Sequence, residues 1–198
     1  MSEHYFTSRP AAAHRRQVVE FRLGDVHMAL VTDTGVFSRR KVDKGTRLLL
    51  ATVPPPPAGD ILDLGCGYGV IGLYYAKIRP ECRVHLLDVN ERAVALAAEN
   101  AARLGLANVR VYQGADLRPV AGCVFRLIVT NPPIRAGRSQ VLALLAEARQ
   151  HLAPDGVLAF VVRTNQGAKT LAEAVQAYYR EVEEVGRGSG YRIYLARP

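Results

Sequence analysis

Cysteine is scarce in this chain of 198 residues, and the three present, Cys66, Cys82 and Cys123, form neither a CxxC pair nor a group with histidine at metal-ligand spacing. Their odd number and wide separation argue against a disulfide framework and against a zinc site, so no metal is expected. Long apolar runs are also missing: none approaches the roughly 18 residues that a membrane span requires, and the first twenty residues carry scattered charges without an apolar stretch. The expectation is a soluble, cytoplasmic protein with no membrane partner. The five histidines stand apart from one another, which directs the search for a catalyst to other residue types.

What the chain does have is apolar content enough for a core, at 49% hydrophobic residues, and a formal charge of +8. Residues 1–50 hold nine Lys and Arg against five Asp and Glu, so half of the excess sits in about a quarter of the length. Clustered cations favour a phosphate-bearing partner through counterion release, although a solvated basic surface has the same composition.

Along the chain, Gln17 to Leu23 and Val26 to about Thr32 read as strands joined at Gly24-Asp25, a two-residue hairpin turn with a leading glycine. A short helix begins near Thr46. The run Pro54-Pro55-Pro56-Pro57 can neither continue a helix nor donate to a sheet, and the subdomain boundary is placed there. This gives a small N-terminal β unit over 1–53, a stiff linker over 54–57 and a larger domain over 58–198. In the larger domain strands and helices alternate: strand Ile61 to Leu64, helix Val70 to Ile78, strand Arg83 to Asp88, helix Asn90 to Leu104 stopped by Gly105, and strands Val109 to Gln113 and Arg126 to Thr130. A helix over about Gln140 to Leu152, strand Val157 to Val162, and a helix carrying Leu171, Ala174, Val175 and Tyr178 on one face follow. Strands Val182 to Val185 and Tyr191 to Leu195 flank Gly186-Arg187-Gly188-Ser189-Gly190. Such alternation predicts an α/β fold whose mostly parallel sheet is covered by helices on both faces and binds ligands at the carboxyl ends of its strands.

The first strand of that sheet runs into Asp63-Leu64-Gly65-Cys66-Gly67-Tyr68-Gly69. Gly67, Gly69 and Gly72 satisfy G-x-G-x-x-G, so a nicotinamide dinucleotide is one reading. Asp63 opposes it, since a carboxylate at the strand end repels a pyrophosphate at the helix N-terminus. S-adenosylmethionine carries no phosphate and two positive groups, and acids near the loop suit it. Asp88 ends the next strand where a carboxylate can accept both ribose hydroxyls, and Asp116 follows the third near the place of an adenine amine. Each acid taken singly is also a plausible cap or turn residue. The cofactor site is expected to comprise Asp63, Gly65, Cys66, Gly67, Tyr68, Gly69, Asp88, Val89, Ala115, Asp116 and Thr46.

From Ile61 onward these residues resemble a class I S-adenosylmethionine-dependent methyltransferase, and the resemblance implies a Rossmann-like seven-stranded sheet with a reversed last hairpin. More narrowly, Tyr5-Phe6-Thr7-Ser8-Arg9-Pro10, Gly35-Val36-Phe37-Ser38, Gly45-Thr46 and Asn131-Pro132-Pro133-Ile134 resemble the catalytic half of the ribosomal RNA small-subunit methyltransferase C family. The resemblance implies methylation of guanine N2 in small-subunit ribosomal RNA, with that RNA or the small ribosomal subunit as partner. It also implies a short stand-alone form without the second domain copy of the longer enzymes. The family tetrad commonly ends in Phe, where Ile134 stands here.

On this reading Asn131, Pro132, Pro133 and Ile134 form the catalytic turn. Pro132 biases Asn131 away from helical geometry, keeping it at the carboxyl edge. The Asn131 side-chain carbonyl and the Pro132 backbone carbonyl would each accept one N–H of an exocyclic amine. Asn-Pro-Pro is also a serviceable rigid turn. Phe37 would wall or stack on the flipped base, and Arg39, Arg40, Lys41, Arg135 and Arg138 would hold phosphates. Two alternatives stand beside this one: a methyltransferase acting on a glutamine amide of release factors, which also uses Asn-Pro-Pro, and a non-catalytic RNA-binding module with a relic cofactor fold.

Overall fold

The computed structural model describes residues 8, 10, 12–134 and 137–198. Strands β1 (Gln17–Leu23) and β2 (Val26–Thr32) pair antiparallel with Leu23 opposite Val26, and Gly24 takes the turn at φ +55°. The chain continues through α1 (Lys44–Thr52), β3 (Asp60–Leu64), α2 (Val70–Ile78), β4 (Arg83–Asp88), α3 (Glu91–Arg103), β5 (Val109–Gln113) and β6 (Phe125–Thr130). It ends with α4 (Arg138–Ala148), β7 (Leu152–Arg163), α5 (Ala168–Val175), β8 (Glu181–Gly188) and β9 (Tyr191–Arg197). Seven strands form one sheet in the order β5-β4-β3-β6-β7-β9-β8, parallel from β5 to β7, with β9 antiparallel to both β7 and β8. This is the expected Rossmann-like sheet with its last hairpin reversed.

Pleating divides the strand residues between two cores. Ile61, Val84, Leu86, Leu127, Val129, Val161 and Ile193 pack with α1, α2, α3 and the β1–β2 hairpin. Leu62, Leu64, Leu87, Ile128, Phe160, Val162 and Tyr194 point the other way, toward α4 and α5. Both faces of the sheet are thereby covered, which is why its strands read as near-continuous apolar runs.

The bounds of several elements depart from the sequence expectation. Helix α1 starts two residues before Thr46 because Asp43 caps it, accepting from the Gly45 and Thr46 amides. Helix α5 ends at Val175, so Tyr178 is exposed and Tyr179 turns inward instead, donating its hydroxyl to the Leu145 carbonyl at 2.7 Å. Strand β7 begins at Leu152, with a register shift against β6 that accommodates Pro154, and β8 extends through most of the glycine-rich run to a turn at Ser189-Gly190.

Side-chain amides tie the N-terminal hairpin to the sheet. Asn100 of α3, fully buried, accepts from the Val31 amide and donates to the carbonyls of Val31 and Tyr68, so one side chain joins β2 to the glycine loop. Asn90 donates to the Gly35 carbonyl and Arg92 to the Thr34 carbonyl, fixing the segment that follows β2. His85, buried on β4 between Tyr112 and Phe125, bonds Asp60 and the Tyr112 hydroxyl, and burial lowers its pKa. No helix among the described residues is long and apolar enough to cross a membrane.

Candidate active site

The carboxyl ends of β3, β4, β6 and β7 open on a cavity of about 470 Å³, within the size range of small-molecule sites. On its floor lies the turn after β3. Gly65, Gly67 and Gly69 all have positive φ, at 75°, 56° and 97°. A Cβ on Gly69 would come within 2.8 Å of Leu73, and one on Gly72 within 2.8 Å of Leu86, so these two glycines also permit close packing of α2 on the sheet.

The amides of this loop are already engaged. Those of Gly65 and Cys66 donate to the Leu87 carbonyl, that of Gly67 to Asp88 Oδ2 at 2.8 Å, that of Gly69 to the Cys66 carbonyl, and that of Gly72 to Asp63 Oδ2 at 2.8 Å. Of the first-turn amides of α2, that of Gly72 is thus taken by the Asp63 carboxylate. Asp63 is fully buried behind the cavity wall, and its Oδ1 makes no hydrogen bond with the described residues. Burial pushes its pKa up to about 7, with the nearby Asp88 charge adding to the effect and the Gly72 amide opposing it. Asp88 lines the cavity, its two oxygens accepting from the Gly67 and Asn90 amides, and burial raises its pKa too. The Cys66 thiol is pushed well up by burial, which leaves it an unreactive wall.

Val89, Ala115, Asp116, Tyr68 and Thr46 line the same cavity. Asp116 accepts from the backbone and guanidinium of Arg118, so part of its charge is answered. Of the charged residues in the lining, Asp43, Asp88 and Asp116 are acids and Arg163 is a cation. An acidic lining, a loop whose amides are engaged and a partnerless carboxylate oxygen behind it fit a cationic cofactor such as S-adenosylmethionine and do not fit a dinucleotide. Among the described residues no group of three or more His, Cys, Asp or Glu is placed to hold a metal ion.

Asn131, Pro132, Pro133 and Ile134 form the opposite lip. The Asn131 Nδ2 donates to Thr46 Oγ1 at 3.0 Å and to Asp43 Oδ2 at 3.2 Å. Both amide hydrogens are directed to these partners, and Oδ1 remains as the acceptor of that side chain. The Pro132 carbonyl accepts from the Ile134 amide at 2.9 Å and keeps a second lone pair. Ile134 packs its side chain against the α4–α5 core, an aliphatic wall where the resembling family commonly has Phe.

Phe37 lines the cavity, whereas Arg39, Arg40 and Lys41 do not. Arg39 exchanges hydrogen bonds with Gln17, and Arg40 and Lys41 border a shallow depression beside Val18, Lys44 and Arg47. Arg138 sits at the start of α4 and reaches the Gln166 carbonyl at 3.5 Å. Arg135, and most of the family-like peptide at residues 5–10, lie outside the described residues. Sequence reading missed Asp43, and it left Gly45 and Tyr191 without roles. The structure brings all three to Asn131: the Tyr191 hydroxyl donates to Asp43 Oδ1 at 2.8 Å, and a Cβ on Gly45 would meet the Tyr191 ring at 2.6 Å. An Asp ahead of a predicted helix was a readable cap signal.

Known proteins resemble this chain in sequence and fold. Residues 27–195 match the methyltransferase small domain family. The Bacillus subtilis protein "Uncharacterized protein YbxB" is 41% identical over 199 residues, covering all of this chain and 99% of that one. Ribosomal RNA small subunit methyltransferase C of Pseudomonas syringae is 33% identical over 90% of this chain, and the chain spans about half (53%) of its length. The solved structure of T. thermophilus 16S rRNA N2 G1207 methyltransferase (RsmC), in complex with AdoMet and guanosine, superposes with a TM-score of 0.81 at 21% identity, over 92% of this chain and 50% of that one. The chain belongs to the methyltransferase small domain family and is, in sequence and fold, a class I S-adenosylmethionine-dependent methyltransferase.

Proposed function

We propose that this methyltransferase modifies an exocyclic amine, guanine N2 of small-subunit ribosomal RNA. The observation that carries the reading is the pinned amide of Asn131, which presents an oxygen acceptor at the carboxyl edge of the sheet, beside the cavity. An exocyclic amine is a poor nucleophile because its lone pair is delocalised into the ring. Asn131 Oδ1 and the Pro132 carbonyl accept its two N–H groups and favour a pyramidal nitrogen with its lone pair turned into the cavity. Each such bond, strengthening as the nitrogen gains positive charge, contributes about 1.5–3 kcal/mol. Holding the two reactants in line contributes more, roughly 7–11 kcal/mol. Bound S-adenosylmethionine supplies the activated methyl group on its sulfonium, and an asparagine that cannot titrate suits a reaction needing no strong base at this position.

The relatives named for ribosomal RNA, and a basic N-terminal segment, support RNA over a protein amide as substrate. Residues 1–53 act as the substrate-guiding unit and residues 58–198 as the catalytic one. In this arrangement Phe37 walls the flipped base, and Arg39, Arg40, Lys41, Arg135 and Arg138 meet its phosphates. The test incubates the protein and its Asn131→Ala variant with radiolabelled S-adenosylmethionine and free 16S ribosomal RNA, small subunits or release factor, then maps the label. Label on a guanine N2 that is strongly reduced in the variant is expected. Label on a release-factor glutamine, or undiminished turnover by the variant, overturns the reading.

A further inference from the structure

A side-chain amide is nearly symmetric in shape, so a wall that merely encloses Asn131 would not choose which end faces the substrate. A carboxylate does choose, because it only accepts hydrogen bonds. Asp43 is that carboxylate. Its Oδ2 accepts from the Gly45 amide at 2.8 Å, from the Thr46 amide at 3.3 Å and from Asn131 Nδ2 at 3.2 Å. Its Oδ1 accepts from the Tyr191 hydroxyl at 2.8 Å. The Tyr191 hydroxyl in turn accepts from Arg163 Nε at 3.2 Å, and the Arg163 guanidinium lies 5.2 Å from the ring centroid. Gly45 makes the arrangement possible, since any side chain there would displace the tyrosine ring from the first turn of α1.

Two residues distant in sequence, Asn131 and Tyr191, therefore converge with the first turn of α1 on one acceptor, which is more than a helix cap needs. We propose that Asp43, braced by Tyr191 and Arg163, is the positioning residue that fixes the Asn131 amide with its oxygen toward the acceptor nitrogen. This inference rests on the reading of Asn131 as the acceptor of the amine's hydrogens, and it concerns a residue that acts through Asn131.

The informative variant is Asp43→Ser. Serine is a good N-cap and keeps α1 started, but its single oxygen cannot bridge Tyr191 and Asn131 together. One measurement needs no turnover: the Asn131 side-chain amide signals in a 15N-resolved NMR spectrum of the whole protein, identified by their loss in Asn131→Ala. Asp43→Ser is expected to speed exchange of those hydrogens with solvent by at least about tenfold, the change matching loss of one charge-assisted bond. The second is a double-mutant cycle on kcat. Asp43→Ser alone lowers kcat by roughly ten- to hundredfold, and in an Asn131→Ala background it lowers kcat no further. Tyr191→Phe gives a smaller loss in the same direction. Unchanged amide exchange in Asp43→Ser, or additive losses in the cycle, overturn the proposal. Should no RNA be methylated at all, the functional reading fails while the exchange measurement still decides the role of Asp43.

Discussion

Replacing Asp63 by asparagine keeps the shape of a fully buried side chain and removes its charge. The carboxyl pKa lies at about 7 in the folded protein against 3.8 for the ordinary group, burial being the largest cause. A folded-state pKa raised in this way gives stability that is complete below pH 3.8 and lost as pH rises through about 7. The shift of about 3 units corresponds to ~4 kcal/mol at most, and about 2–3 kcal/mol of it falls between about pH 5 and pH 8. The asparagine oxygen can replace Oδ2 at the Gly72 amide, while its NH2 occupies the site of Oδ1, where no acceptor is at hand among the described residues, at a cost of ~1–3 kcal/mol that does not depend on pH. The variant is therefore expected to gain on the wild type as pH rises, by the equivalent of roughly 5–10 °C in melting temperature between about pH 5 and pH 8. Thermal unfolding of both proteins across that interval measures it. The same substitution weakens binding of S-adenosylmethionine more than that of S-adenosylhomocysteine, whose sulfur is neutral, and calorimetric titration compares the two. Stability curves that stay parallel from about pH 5 to pH 8 would refute the account of Asp63.

Other expectations follow from single contacts. Asp88→Ala removes the acceptor of the Gly67 and Asn90 amides and the carboxylate nearest the expected ribose, so affinity for S-adenosylmethionine drops by roughly 2 kcal/mol, read by calorimetry; unchanged affinity rejects the assignment. Replacing Arg39, Arg40 and Lys41 together with alanine leaves cofactor binding intact and flattens the dependence of RNA affinity on salt concentration, as filter binding at several ionic strengths would show. An unaltered slope removes that patch from the RNA interface. Gly72→Ala places a Cβ within 2.8 Å of Leu86 and 3.2 Å of the Asp63 Cβ, and denaturant unfolding is expected to register a loss of ~1–3 kcal/mol; full stability would mean that α2 shifts without strain.

The central strands and helices are legible in the chain because local chemistry and tertiary need coincide there. Asn90 caps α3 through bonds to the Arg92 and Ala93 amides, and a glycine at positive φ follows its end. The apolar runs of β3 and β4 are buried on both faces and admit no other reading. What was not legible depends on distant partners. Tyr178 and Tyr179 are equivalent by composition, and only the Leu145 carbonyl selects the second. The extra length of β7 follows from the pairing of Leu152 with Phe125 of β6, which overrides the local signal of Pro154. Asp43 and Asn131 are 88 positions apart, and neither motif hints at the other. The need for glycine at position 45 comes from Tyr191, whose ring lies against it from the far end of the chain.

Asn100 sets a condition on transplanting the hairpin to another methyltransferase. A graft of residues 17–32 alone would bring Val31 into a host lacking this amide and strand the Val31 N–H and C=O in the dry interior, each at ~1–3 kcal/mol. The portable module is the hairpin together with α3 and the Tyr68 carbonyl, so the hairpin and the glycine loop travel as one inheritance.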